Sequence, residues 1–179
     1  AADEDHPVLH GKRSEYKIIS FSSLCNSPQL WAHYGGNYAG VCLGFSSVGI
    51  FHTVKKVIYT SRKPSLRYEP SDAEFDDIIF ENFLHKEKHW SYEQEWRYIE
   101  KNENRFLSYK NEDFKCILLG HKIEPEIKKL ICQAVNNTPV LKTHIGVESY
   151  KIRILPLDYE HSYDGSTPPF IDDLEAYLL

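Results

Sequence analysis

The densest group of reactive side chains is His89-Trp90-Ser91-Tyr92-Glu93-Gln94-Glu95-Trp96-Arg97-Tyr98. In an extended segment successive side chains alternate faces, so Glu93, Glu95 and Arg97 share one face and Gln94, Trp96 and Tyr98 the other. Carboxylates two residues apart on a strand lie about 7 Å apart, close enough for repulsion to raise one pKa, while Arg97 pulls the other way. Such a trio can hold a ribose or a cationic intermediate. One carboxylate accepts from a hydroxyl while its charge stabilises positive charge at an anomeric carbon. The same residues on a solvated edge strand would amount to an Arg–Glu pair worth about 0–1 kcal/mol.

A second cluster is Leu30-Trp31-Ala32-His33-Tyr34-Gly35-Gly36-Asn37-Tyr38. His33, Tyr34 and Tyr38 beside a glycine pair, with Trp31 at the head of the stretch, can form an aromatic ligand wall, since a base stacked on such a ring gains about 1–3 kcal/mol. Packing of the same rings on a sheet is the competing reading. Glu81, His85 and His89 recur every four residues, which on one continuous helix would make a metal-facing stripe. The HExxH order is missing, and Lys86 and Lys88 oppose a cation there. No GxGxxG, GxxxxGK[ST] or GxSxG element occurs, which removes the commonest nucleotide loops and the hydrolase elbow. Lys55, Lys56, Arg62, Lys63 and Arg67 read as a small basic, solvated face.

These groups need elements to position them. Tyr16–Ser23 reads as a strand. Ser27-Pro28, a capping residue before Pro, opens a short helix through Tyr34. The apolar run Gly40–Phe45 reads as a buried strand, and Thr53–Thr60 as another. Phe75, Ile78, Ile79 and Phe83 predict a helix from Asp72 to about Lys88. Strands follow at Glu95–Glu100 and Phe114–Leu119. Glu124-Pro125 opens a helix with Ile127, Leu130, Ile131 and Ala134 on one face. Strands near 140–145 and 148–155 close the body, and Thr167-Pro168-Pro169 starts a C-terminal amphipathic helix with Phe170, Ile171, Leu174 and Leu178. Strands outnumber helices without strict alternation, which predicts an α+β class with a mixed, largely antiparallel sheet and two or three packed helices. The expected organisation is a polar leader or truncated upstream segment over 1–15, one domain over 16–160, and a tail over 161–179.

The chain has 179 residues, 41% of them hydrophobic, and a formal charge of −5. This composition excludes wholesale disorder and argues against broad coating of nucleic acid or anionic lipid. No apolar run approaches a membrane span, so no membrane partner is expected. Four cysteines without CxxC spacing, three of which read as small core hydrophobes, point to reduced thiols and a cytoplasmic location. Ala1-Ala2 and the lack of Met predict a trimmed or processed fragment.

Several motifs in order carry a resemblance: Phe21-Ser22, Leu30-Trp31-Ala32-His33-Tyr34, Gly40-Val-Cys-Leu-Gly-Phe45, then Lys86, Trp90, Glu93, Glu95-Trp96-Arg97, and Ile117-Leu-Leu-Gly120. Across residues 16–120 the chain resembles the bacterial family catalogued as domain of unknown function 2971. A looser likeness, in the serines ending the first strand (Ser20, Ser22, Ser23) and in Glu93-x-Glu95, is to ADP-ribosyltransferases. That likeness implies NAD as substrate, Glu95 as the catalytic carboxylate and Glu93 orienting the acceptor. Trp31, His33, Tyr34, Lys86, Arg97 and Ser22 would line the pocket. It implies a bacterial toxin or defence effector modifying a macromolecular acceptor. The aromatic-Arg strand usual upstream in related members is not found in residues 1–15. Two other expectations stand beside it: a non-catalytic module binding a small-molecule nucleotide or a partner, and a metal-dependent hydrolase or nuclease using Glu81, His85, His89 and the Glu pair.

Overall fold

A computed structural model of the chain describes residues 14–64, 72–101, 106–146 and 150–158. The elements in chain order are β1 (Tyr16–Ser22), α1 (Pro28–His33), β2 (Val41–Phe45), β3 (Lys55–Lys56), β4 (Ile58–Thr60), α2 (Asp72–Phe83), β5 (His85–Glu87), β6 (Glu95–Lys101), β7 (Phe114–Leu119), α3 (Pro125–Ala134), β8 (Val140–Ile145) and β9 (Ile152–Pro156). Short 3-10 turns cover Gly49–Thr53, Lys88–Glu93 and Asn111–Asp113. Helices and strands are mixed and pairing is mostly antiparallel, which is the expected α+β class. No described helix is long and apolar enough to cross a membrane. Residues 1–13 of the expected leader, and the expected C-terminal helix with Phe170, Ile171, Leu174 and Leu178, lie outside the described residues.

The chain divides into two compact units, one formed by Ala1–Ser23 with Ile50–Ser108 and one by Leu24–Gly49 with Tyr109–Leu179. In the first, β6 is the central strand of the order β1-β6-β3. It runs antiparallel to β1 with Ser22 opposite Glu95 and Ser20 opposite Arg97, and antiparallel to β3 with Lys55 opposite Arg97. The edge-strand reading of Glu95–Arg97 is thereby corrected. The single strand expected over Thr53–Thr60 is also corrected. Val57, 3% exposed, interrupts it and donates its amide to Glu95 O at 2.9 Å. Beyond that break β4 pairs in parallel with β5.

This pairing explains why α2 stops at Phe83 instead of near Lys88. The backbone of His85–Glu87 is engaged by β4, and the orphan carbonyls of the helix end find partners outside the helix. Leu84 O accepts from the Ile58 amide at 2.7 Å, Glu81 O from the Leu84 amide at 3.0 Å, and Phe83 O from the Arg97 guanidinium. A cation at a helix C-terminus also suits the helix dipole. The core of this unit holds Phe51, Val57 and Ile79, with the Phe51 ring 4.8 Å from Phe21 and 5.9 Å from Tyr98, both edge-on.

The second unit is built on the sheet β2-β7-β8-β9, in which only β7 and β8 run parallel. Its core gathers Trp31, Cys116, Leu118, Leu141, Ile152 and Ile154. Helix α1 starts as its residues dictate, with Ser27 Oγ accepting from Leu30 N and Pro28 at the first position. The apolar strand β2 is an edge, not a buried strand, and leaves Val41 and Leu43 41% and 51% exposed. Helix α3 carries its apolar stripe but buries none of its residues. Gly120 makes a close crossing, because a Cβ there would stand 2.1 Å from Tyr38 O and 3.0 Å from Gly40 O. Gly120→Ala is therefore expected to cost about 2 kcal/mol in chemical denaturation, as overpacking against backbone does. An unchanged midpoint would show that this crossing has slack.

Candidate functional site

The carboxylates singled out by sequence meet in the first unit, by a route that strand alternation does not describe. Glu93 ends the 3-10 turn Lys88–Glu93, and Gln94 follows in the left-handed region at φ 43° before β6 begins at Glu95. That reversal, uncommon for a residue with a Cβ, leaves both side chains pointing at the ammonium of Lys86. Lys86 Nζ donates to Glu93 Oε2 and to Glu95 Oε2, the latter at 2.9 Å. Arg97 holds Glu95 from the other side, with Nε 2.7 Å from Oε1 and Nη2 3.2 Å from Oε2.

The backbone around the pair is pinned from both neighbours. Ser22 Oγ donates to Glu93 O at 2.6 Å, the Ser23 amide to Gln94 O at 3.4 Å, and the Glu95 amide to Tyr59 Oη at 2.8 Å. Both carboxylates are buried, at 4% exposure each, and the Lys86 and Arg97 side chains are largely covered. Two anions and two cations are thus withdrawn from water together, which is tolerable only where the charges are paired and hydrogen-bonded.

At Glu95 the downward pull expected of Arg97 is found. Burial pushes the Glu95 carboxyl up, but hydrogen bonds from Arg97, Ser20 and Lys86 outweigh it and lower its pKa to about 2. For Lys86 burial acts downward, and the bonds to Glu93 and Glu95 reverse that to a net rise. Beside this quartet lies Trp90, 39% exposed, with Lys86 Nζ 5.3 Å from its ring centroid. The Tyr92 ring is 6.0 Å from that of Trp90.

The aromatic candidates belong to the second unit. Trp31 is 4% exposed, packs in the core and donates its indole N–H to Cys25 O at 2.8 Å, so it offers no ring face to solvent. His33 is exposed and Tyr34 is 66% exposed, with ring centroids 6.3 Å apart. The metal stripe is overturned by the early end of α2. Glu81 lies on that helix, His85 on β5 and His89 on a 3-10 turn, where its Nδ1 pairs with Glu87 Oε1 at 2.7 Å. Among the described residues no group of three or more His, Cys, Asp or Glu is disposed to hold a metal ion. All four cysteines are free thiols.

The sequence points to Lys86, Glu93, Glu95, Arg97 and Ser22 as site residues and to Ser20 only as a member of the serine motif, and it gives no sign of the parts played by Tyr59 and the Phe83 carbonyl. Ser20 was within reach of the strand reading, since it alternates with Ser22 and lies across from Arg97. Tyr59 and Phe83 enter through long-range pairing and leave no local signal.

Lys86→Met should strand two buried anions and cost about 3 kcal/mol or more in denaturant unfolding, as removal of one partner from a buried ion pair does. Because Glu95 titrates lower folded than its ordinary 4.5, its contribution is complete above pH 4.5 and is lost as pH falls toward about 2. Glu95→Gln is expected to flatten the stability-versus-pH curve across that window. A curve as steep as that of the parent chain would mean the carboxylate is not held in this way.

Residues 30–98, from α1 into β6, match the model of a family described as Protein of unknown function (DUF2971). No curated protein and no solved structure matches the chain. The ADP-ribosyltransferase likeness thus rests on the serine and Glu-x-Glu residues alone. The family match covers Trp31, His33, Tyr34, Lys86, Glu93, Glu95 and Arg97, and it supports the family resemblance carried by those motifs.

Proposed function

We propose that the chain is a non-catalytic binding module in which Lys86, Glu93, Glu95 and Arg97 form a rigid frame for the exposed Trp90. One observation carries this reading. The Glu95 carboxylate is buried, and both its oxygens are held by cations of the same unit. A carboxylate that steadies an oxocarbenium ion must meet the sugar with its charge uncompensated. Here Arg97, and the Lys86 ammonium that it shares with Glu93, already offset it. Trp90 presents an exposed ring at the rim of the frame, suited to stack on a nucleotide base or another planar group.

ADP-ribosyl transfer with NAD is the rival reading, favoured by the convergence of Glu93 and Glu95 on one ammonium. Titration calorimetry with NAD, ADP-ribose and AMP, combined with assay of free nicotinamide, separates the two. The binding reading expects association with at least one of these without nicotinamide release. It also expects Trp90→Ala to weaken that association roughly 5- to 150-fold, the equivalent of about 1–3 kcal/mol of stacking. Nicotinamide release that Glu95→Gln abolishes, with the fold intact, would establish the transferase reading instead.

A further inference from the structure

We propose that the acidic, apolar C-terminal stretch, residues 169–179, docks within the same molecule on the open face of α3. Helix α3 has the spacing of an amphipathic helix, yet none of its residues is buried, and Ile127 and Leu130 are 48% and 59% exposed. An apolar helix face left in water is unfavourable, and such faces mark surfaces that something covers.

The place where the described residues end points to the occupant. Asp158 lies on the rim of a concavity of about 460 Å³ that Lys128 of α3 shares with Val140, Leu141, Pro156 and Leu157. The last described residue, Asp158, therefore lies beside α3. Ten residues, 159–168, reach up to about 3.3 Å each, well beyond the roughly 15 Å length of a ten-residue helix.

The chemistry is complementary. Phe170, Ile171, Leu174 and Leu178 recur at helical spacing, and residues 159–179 carry Glu160, Asp164, Asp172, Asp173 and Glu175 with no Lys or Arg. On α3, Lys128 and Lys129 follow the stripe, while Glu126 opposes an acidic partner only in the first turn. Tethering gives the segment an effective concentration in the millimolar range, an advantage that a free partner lacks.

The full chain supplies its own probe site, because Cys132 on α3 is exposed while Cys25 and Cys42 are half-buried and Cys116 is buried. A nitroxide on Cys132 is expected to broaden the amide NMR signals of residues 170–178, equally at tenfold dilution. Leu174→Asp and, separately, Leu130→Asp should restore the signals; Leu130 is already exposed, so the fold tolerates that change. Raised salt should weaken the broadening through loss of the Lys128 and Lys129 attraction. Sharp signals for 170–178 in the labelled parent chain would overturn the proposal. So would broadening that fades on dilution or passes between labelled and unlabelled copies, which would make a second copy the occupant.

Discussion

The first unit depends on one constraint: two carboxylates and two cations must leave water together. Glu93 and Glu95 cannot be buried without Lys86, and Glu95 cannot ionise there without Arg97. The requirement propagates outward. Lys86 comes from β5, which exists because β4 draws His85–Glu87 into a parallel pair and ends α2 early. Arg97 comes from β6, and its guanidinium also closes the end of α2 at Phe83 O. A buried ion cluster contributes little net stability against a well-packed apolar core, but it accepts only one geometry. Its members come from β5, the 3-10 turn Lys88–Glu93 and β6, and Arg97 also meets the end of α2 at Phe83 O.

The cluster bears on chemistry as much as on architecture. A carboxylate held in its ionised form by two donors is a poor general acid and a compensated electrostatic partner. Trp90, by contrast, is 39% exposed, with the Lys86 ammonium 5.3 Å from its ring centroid. In the second unit Trp31 sits in the core while Tyr34 faces solvent, so two aromatic residues three positions apart on one short segment have opposite fates.

How far sequence could see depends on whether the cause was local. The start of α1 was legible because Ser27 and Pro28 act within one turn, and the strands β1, β6, β7 and β8 because β-branched and aromatic residues cluster in them. The end of α2 was not legible: His85-Lys86-Glu87-Lys88 suits a helix, and only pairing with residues some 27 positions earlier overrides it. The exposure of β2 escaped for the same reason, since an apolar run does not reveal whether its strand lies at the centre or the edge of a sheet. For the site, the grouping of Lys86, Glu93, Glu95 and Arg97 was legible as residue types. The left-handed turn at Gln94 that joins them was not, because Gln has no preference for that conformation.

The most direct measurement of the central claim is the NMR titration of the Glu95 side-chain carboxyl in the folded chain. A carboxylate clamped by Arg97 and Lys86 is expected to titrate near pH 2, or to stay ionised until the protein unfolds. A midpoint at or above the ordinary 4.5, in protein that remains folded, would contradict the account, since it would show Glu95 gaining no net stabilisation from the cations placed around it.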